Sequence, residues 1–307
     1  MNKYIVPFPE VVRIEPSAAC NLKCIHCPTG TVKMRRGVMT EATFDLVLKQ
    51  LAGKRIRVAV LYQGGEPLLN KRFPSMIRRV KALGIPFVKT VSNGMLLTDA
   101  IMESLIGSGL DLIEFSLDGE NKEENDFIRR GSKFETVIDN VKRFIALKKK
   151  HGVKLPRITI CSTSFLPAGT SGPDPVCKVP GFIVKEFGSE TEIDFKTTWA
   201  YVWPDLPIQE NVFSADPGGG ATNYCDHVHD YINVRWNGDV VPCCYDLTSK
   251  LVLGNVRQDS LETIWNNPYY QELRRSIDKM EFNELCKNCT VVNPGMHLRL
   301  KRTVKTK

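Results

Sequence analysis

The sequence contains no run of about 20 consecutive apolar residues, the length that a helix needs to span a bilayer. Its first residues also lack an apolar core followed by a small-residue cleavage site, so they do not resemble a signal peptide. No internal repeat is evident. We therefore expect a cytoplasmic protein that has no membrane partner.

The composition is that of an ordinary globular protein, with 42% hydrophobic and 25% charged residues in 307. A chain of this length has room for one large domain and a small appendage. Its net charge of +8 is partly concentrated between residues 299 and 307. No aromatic side chains interleave these basic residues as a base-stacking platform would require, so we predict a solvated tail and no nucleic-acid partner.

Short β-branched runs alternate with stretches of helical period between residues 11 and 198. This pattern is typical of repeated βα units around a parallel sheet. The predicted strands are residues 11–15, 58–62, 87–92, 112–117, 157–162 and 192–197. The predicted helices are residues 41–51, 74–83, 99–108 and 134–150. This order predicts an α/β fold, a partial (β/α)6 TIM-like barrel rather than a closed eight-stranded one.

Two segments rich in proline and glycine interrupt this pattern, at residues 167–181 and 204–220. Long loops of this kind are functional covers or linkers, and we expect a lid in the first case and a linker in the second. Cysteines return after residue 223, beside a predicted hairpin at Asn237 and Gly238. The predicted organisation is a barrel at 1–203, a linker at 204–222, a small domain at 223–292 and a basic tail at 293–307.

Ten cysteines in a chain without an export signal favour metal binding over disulfides. Cys20, Cys24 and Cys27 follow the first predicted strand, at the sheet edge where parallel α/β folds carry out chemistry. Three thiolates at this spacing fit one iron–sulfur cubane and leave one of its irons open to chelate a small molecule. A zinc site or incidental buried cysteines are the alternatives.

The Cys-x3-Cys-x2-Cys spacing after the first strand resembles the signature of the radical S-adenosylmethionine (SAM) superfamily. Short motifs after the next three predicted strands are similar to the motifs by which that family holds SAM, and they strengthen the resemblance. The matching positions are Gly64, Gly65, Glu66, Ser92, Asn93, Ser116 and Asp118.

The resemblance implies a [4Fe-4S] cluster on the three cysteines, with SAM bound beside it. Glu66 would accept hydrogen bonds from the ammonium group of SAM, and Ser116 would donate a hydrogen bond to the carboxylate of SAM. Arg129 is a candidate clamp for a carboxylate, with a helix surface as the alternative. The implied chemistry is reductive cleavage of SAM to a 5′-deoxyadenosyl radical, which abstracts hydrogen from the substrate. The implied electron donor is a reductant such as flavodoxin or ferredoxin.

A second group of cysteines, Cys225, Cys243, Cys286 and Cys289, is sufficient for another cluster or for a structural zinc site. Spacing alone does not separate the two. Cys-x12-Gly-x4-Cys, followed by Gly-Asn-Val at residues 254–256, resembles the SPASM domain or its shorter twitch form, which implies a second [4Fe-4S] cluster. Cys244 is interpreted as a spare residue.

One fully ligated auxiliary cluster fits an electron acceptor, an arrangement that resembles 2-deoxy-scyllo-inosamine dehydrogenase. Peptide-modifying relatives often carry a leader-binding domain of roughly 80 residues ahead of the first motif. Since Cys20 leaves no room for one, we expect a small amino-sugar or polyol substrate. Crosslinking or epimerisation of a ribosomally made peptide, and a non-enzymatic zinc-binding or electron-transfer role, remain alternatives.

Cys161 lies in the fifth predicted strand, where alternation points it towards the barrel interior. It is the candidate catalytic residue, as a hydrogen donor to a substrate radical in an epimerase. A buried structural cysteine is the alternative.

Overall fold

The computed structural model describes residues 2–167, 176–188, 190, 192–208, 212–215 and 219–301. Its strands are β1 (Val11–Ile14), β2 (Val58–Val60), β3 (Phe87–Ser92), β4 (Leu112–Ser116), β5 (Arg157–Ser164), β6 (Leu166–Pro167), β7 (Ile193–Trp199), β8 (Phe213–Ala215), β9 (Tyr231–Val234), β10 (Asp239–Val241), β11 (Gly254–Asn255) and β12 (Leu298–Leu300). Its α-helices are α1 (Pro28–Thr31), α2 (Glu41–Leu51), α3 (Phe73–Ala82), α4 (Asp99–Ile106), α5 (Lys122–Ile128), α6 (Phe134–His151), α7 (Gly181–Phe187), α8 (His227–Asp230), α9 (Leu261–Trp265) and α10 (Pro268–Asp278).

The main sheet has the strand order β11-β10-β9-β1-β2-β3-β4-β5-β7. Every neighbouring pair from β9 to β7 is parallel, whereas β10 pairs antiparallel with β9 and with β11. The six predicted strands correspond to β1 to β5 and β7, so the partial-barrel α/β fold is confirmed. The C-terminal segment contributes β9 directly to this sheet, in register beside β1.

Side chains alternate between two environments along the strands. In β1, Val12 and Ile14 are fully buried in the main hydrophobic core, which lies between the sheet and its helices. Because neighbouring strand residues point to opposite faces, Arg13 and Glu15 occupy the inner face, where both are buried. The inner face of the sheet is therefore polar where β1 crosses it.

A second sheet has the strand order β6-β12-β8, and it differs from the predictions of a linker and of a basic tail. β8 lies in the segment predicted to be a linker, and β12 lies in the predicted basic tail. Leu298 is fully buried and pairs with Ala215, so the prediction of a solvated tail is wrong for this part of the chain. Leu298 and Leu300 alternate with basic residues along this strand, and both leucines pack in one cluster with Phe213 and Phe165. Residues 302–307, and residues 168–175 of the predicted lid, lie outside the described residues, and the domain bounds remain predictions.

Among the described helices, none is both long enough and apolar enough to cross a membrane.

Candidate radical SAM site

The first three cysteines lie on the loop between β1 and α1. This loop is tightly wound: the amide of Cys27 donates to the carbonyl of Cys24 at 3.3 Å, and a β-carbon on Gly30 would lie 2.4 Å from that same carbonyl oxygen. Only glycine fits there. Burial raises the pKa of Cys20 to about 11 and that of Cys24 to about 12, so the metal-free thiols are protonated at neutral pH. A metal that binds them releases those protons.

A cavity of about 200 Å³ opens beside the three thiols. It brings together residues from the ends of β1, β2, β3 and β4, which share one edge of the parallel sheet. The residues predicted from the sequence that line it are Cys20, Cys24, Cys27, Gly64, Gly65, Glu66, Ser92, Asn93, Ser116 and Arg129. Tyr62, Gln63 and Trp203 also line it.

Glu66 carries the main negative charge of this cavity. It is 2% exposed, and its carboxylate accepts hydrogen bonds from the Ser92 hydroxyl at 2.9 Å and from the amides of Asn93 and Leu68 at 2.8 and 3.1 Å. Burial raises its pKa, and these hydrogen bonds act against that shift. Within the described part of the chain, no cationic side chain forms an ion pair with it. A buried carboxylate without a cation fits the ammonium group of a bound ligand.

The Gly64-Gly65 turn packs directly on the cysteine loop. A β-carbon on Gly65 would lie 2.3 Å from the carbonyl oxygen of Ser17 and 2.4 Å from that of Ala19. The amide of Glu66 donates to Ala19 at 2.8 Å, and the hydroxyl of Thr29 donates to the carbonyl of Gly64. The two loops therefore form one rigid unit around the cavity.

Asp118 is not among the residues that line the cavity. One of its carboxylate oxygens lies 2.6 Å from Nη1 of Arg129, and the other accepts from the amide of Thr163 at 2.9 Å. Burial opposes its ionisation, but Arg129 and then His26 hold its pKa below the usual value. Nε of Arg129 is buried without a partner. Asp118 thus positions Arg129, and Arg129 is the member of this pair that lines the cavity.

Cys161 lies in register with Ser116 on one side and Lys196 on the other. It is not among the cavity-lining residues, although Ser116 is. Burial, followed by the nearby carboxylate of Glu114, raises the pKa of Cys161 to about 12. Glu114 is itself paired with Lys89 at 2.8 Å. The thiol is therefore neutral and lies next to a buried ion pair.

The second group of predicted ligands also converges. Cys225, Cys243, Cys286 and Cys289 line a single apolar pocket, and Cys244 does not line it. Throughout the described residues, no three Cys, His, Asp or Glu side chains are close enough to share one metal ion. The pocket instead offers four separate thiols, one for each iron of a cubane. Burial raises the pKa of Cys244, and the nearby guanidinium of Arg13 acts in the opposite direction.

Sequence reasoning missed the buried pair of Glu15 and Arg235, whose Oε2 and Nε atoms lie 2.6 Å apart. It also missed Arg13, Lys89 and Glu114 on the inner face of the sheet. A signal for them was present, because a charged residue inside a short β-branched run must lie on the inner face or carry a partner.

Two family models match the chain: the radical SAM superfamily at residues 14–160 and SPASM, an iron–sulfur cluster-binding domain, at residues 225–290. Residues 14–160 therefore form a radical SAM domain, and residues 225–290 form a SPASM-type domain. The resemblance drawn from the cysteine spacing is therefore confirmed.

Two curated relatives illustrate the range of this family. The chain is 33% identical over 138 residues to GTP 3′,8-cyclase of Chlorobaculum tepidum, a match that covers 45% of this chain and 41% of that enzyme. It therefore spans less than half the length of that relative. It is 26% identical to the tungsten-containing aldehyde ferredoxin oxidoreductase cofactor-modifying protein of Pyrococcus furiosus, over 91% of this chain and 86% of that protein.

Solved structures share the fold over nearly the whole chain. BtrN in complex with AdoMet and 2-DOIA superimposes with a TM-score of 0.62 at 17% identity, covering 93% of this chain and 94% of BtrN. Streptococcus suis SuiB bound to the precursor peptide SuiA superimposes with a TM-score of 0.58 at 17% identity, covering 93% of this chain and 70% of SuiB. At these identities the likeness extends to the fold alone.

Proposed function

We propose that this chain is a radical SAM oxidoreductase that removes hydrogen from a small amino-sugar or polyol substrate. The observation that carries the proposal is a cavity lined by three free thiols and by Glu66, a buried carboxylate that forms no ion pair within the described residues. When bound, the [4Fe-4S] cluster and SAM supply reductive cleavage to a 5′-deoxyadenosyl radical, which abstracts hydrogen from the substrate. Cys20, Cys24 and Cys27 would hold the cluster.

The remaining cavity residues bind and orient SAM. Glu66 accepts from the ammonium, and the glycines allow the backbone to approach the ligand closely. Ser116 and Arg129 donate to the carboxylate, with the guanidinium held in place by Asp118. The buried amide of Asn93 completes the wall beside Cys20.

Cys225, Cys243, Cys286 and Cys289 would hold the auxiliary [4Fe-4S] cluster, which we propose as the electron acceptor of the oxidation. Trp203 supports this role, because it lines the SAM cavity and its ring lies 4.8 Å from that of Tyr245. Tyr245 in turn lines the four-thiol pocket. Two adjacent rings therefore separate the two sites.

We further infer that the protein acts in the cytoplasm with a reductant such as flavodoxin or ferredoxin. All ten of its cysteines are free thiols, and such thiols persist in a reducing compartment.

The small-molecule substrate rests on the fold likeness to BtrN, which extends over 94% of that chain; the likeness to native anSMEcpe with bound AdoMet and Cp18Cys peptide extends over 92% of that chain and so supports a peptide substrate equally. BtrN was crystallised in complex with 2-DOIA, whereas SuiB was crystallised with a precursor peptide. Modification of a peptide is therefore the second candidate function, favoured by the fold likeness to SuiB.

Iron and sulfide content of anaerobically reconstituted protein tests the proposal. We expect about eight irons in the parent protein and about four in a triple variant with Cys20→Ala, Cys24→Ala and Cys27→Ala, since each cubane holds four. With dithionite and SAM, 5′-deoxyadenosine should form in the parent alone. A Cys161→Ala variant, altered outside both cysteine groups, should retain the full iron content.

Equal iron content in the parent and the triple variant, with no SAM cleavage, would contradict the assignment and favour a zinc-binding or electron-transfer protein. About four irons in the parent and none in the triple variant would preserve the enzyme but remove its proposed electron acceptor. Precursor peptide bound tightly in place of a small molecule would favour peptide modification.

A further inference from the structure

The described part of the chain contains four buried arginines, and one of them differs from the others in its partners. Arg235 pairs with Glu15, Arg129 pairs with Asp118, and Arg274 donates to several backbone carbonyls. The fourth is Arg13, which is 6% exposed.

Arg13 makes a single long hydrogen bond, from Nη1 to the carbonyl of Tyr62 at 3.5 Å. Its Nε is buried and without a partner. No carboxylate among the described residues forms an ion pair with it. A buried cation normally has a paired anion, because removal of an uncompensated charge from water is strongly unfavourable. The strongest electrostatic neighbour of Arg13 is the thiol of Cys244, so within the described residues Arg13 is a buried cation without a carboxylate partner.

The position of Arg13 places it between the two cofactor sites. It lies on the inner face of β1, in register with Val60 of β2 and Asn233 of β9. Its guanidinium stacks on the ring of Tyr62, 4.9 Å from the ring centroid. Tyr62 lines the SAM cavity, and the side-chain amide of Asn233 donates to the carbonyl of Pro242, a residue that lines the four-thiol pocket.

Two neutral side chains near this position are also incompletely bonded. Oδ1 of Asn233, which is fully buried, has no hydrogen-bond partner. Neither does Oε1 of Gln63, which is 8% exposed and lines the SAM cavity. Buried acceptors of this kind are normally satisfied by protein, water or a ligand. Among the described residues, this region therefore combines a buried cation without a carboxylate partner and two buried acceptors without a hydrogen-bond partner.

We propose that Arg13 binds an anionic group of the substrate, a carboxylate or a phosphate, while Gln63 and Asn233 accept hydrogen bonds from its hydroxyl or amino groups. The planar guanidinium suits both anions, since its parallel N–H donors match their paired oxygens. This inference rests on the proposed function for the nature of the bound molecule. It narrows the substrate from a polyol or amino sugar to one that also carries negative charge.

Thermal unfolding of the cluster-loaded protein with SAM present tests this site without turnover. Because Arg13 has no carboxylate partner among the described residues, Arg13→Met leaves no buried carboxylate unpaired and should not lower the Tm of the protein in the absence of added anion. Arg235→Met, which breaks a buried pair, should lower it. A purely structural role for Arg13 predicts that both substitutions lower the Tm.

Titration with inorganic phosphate and, separately, with acetate identifies the anion. At least one of them should raise the Tm of the parent and of a Lys89→Met control, in which a paired inner-face cation is removed, while Arg13→Met should lose that rise. A response to phosphate alone indicates a phosphorylated substrate, and a response to acetate alone indicates a carboxylate.

A rise of equal size in Arg13→Met and the parent would overturn the proposal, as would no rise in the parent. Loss of the rise in Cys244→Ala would also overturn it, because the anion effect would then depend on that neighbouring thiol. SAM cleavage and iron content, measured on the same variants, report separately on the proposed function. A failure of the anion site and a failure of the radical SAM chemistry are thus distinguishable.

Discussion

Glu15 on the first strand and Arg235, which follows β9, form a fully buried ion pair with 2.6 Å between Oε2 and Nε. The same carboxylate accepts from the amide of Trp236 at 3.1 Å and, through its other oxygen, from the amide of Gly64 at 3.0 Å. One side chain therefore joins the barrel, the SAM-binding turn and the C-terminal segment.

Disruption of this pair should destabilise the whole protein. We expect Arg235→Met to lower the free energy of unfolding by about 3–5 kcal/mol, because it leaves Glu15 charged and buried. Arg55→Met removes an exposed partner of Glu10 and should change the free energy by less than about 1 kcal/mol. Denaturant titration of both variants measures the difference, and equal effects would contradict a central role for the pair.

Gly65 should tolerate no side chain. In Gly65→Ala the new methyl group would meet two backbone carbonyls at less than 2.5 Å, so the SAM-binding turn and the cysteine loop must separate. We expect a loss of at least about 3 kcal/mol of stability, together with poor cluster retention. Gly181→Ala is the matched control, since nothing lies within 4 Å of its added carbon. Urea unfolding and iron content measure both, and similar behaviour of the two variants would refute the packing argument.

Glu66→Gln should weaken SAM binding by about tenfold or more, because a hydrogen bond to a charged group contributes about 1.5–3 kcal/mol. Burial raises the pKa of Glu66, so its folded form resists ionisation. SAM affinity in the parent should therefore fall as the pH decreases through that raised value. In the SAM-free protein, the same shift makes ionisation of Glu66 unfavourable to folding at neutral pH.

Isothermal titration with SAM at several pH values measures these effects, with Glu10→Gln as an exposed control. The Glu66→Gln variant should lose the acid-side dependence of SAM affinity. Unchanged affinity in Glu66→Gln would exclude an ionic contact with the ligand.

Cys161 should behave as an inert thiol. Because burial and the adjacent Glu114 raise its pKa to about 12, it should resist alkylation by iodoacetamide up to about pH 10. Mass spectrometry of the labelled peptide measures this. Cys161→Ala should leave an oxidation intact, whereas an epimerase that uses this thiol as its hydrogen donor would lose its product.

Cys243 and Cys244 should differ in their contribution to iron binding, although they are adjacent in the sequence. Cys243 lines the four-thiol pocket and Cys244 does not, so Cys243→Ala should lose about four irons while Cys244→Ala retains them. Iron analysis and electron paramagnetic resonance of the reduced proteins distinguish the two outcomes. Loss of the signal in Cys244→Ala instead would indicate that Cys244, and not Cys243, is the cluster ligand.

The sequence predicted the parallel strands well because their apolar alternation is local. Residues 87–92 were predicted as a strand and coincide with β3, and residues 41–51 coincide with α2. The cavity-lining residues were also predictable, since strand ends at one sheet edge must meet. The pairing of β12 with β6 and β8 was not predictable, because it depends on partners far apart in the chain and its charged residues mask Leu298.

The charged residues of the inner face were not predicted, for a related reason. Arg13 and Glu15 fall inside the short strand predicted at residues 11–15, which is mostly apolar. Their contacts form only when β9 pairs beside β1. Asp118 occupies a motif position that was predicted to contact SAM; in the structure its carboxylate pairs with Arg129, and its contact with SAM stays a prediction.

The place of β1 in the sheet also constrains how the protein is made. Val11 pairs with Tyr231, about 220 residues later in the chain. During synthesis one edge of β1 therefore remains without a partner until most of the polypeptide has left the ribosome. An open strand edge is prone to join other chains. The pairing of β9 with β1 covers this edge, so β1 is protected from such association only after β9 has been synthesised.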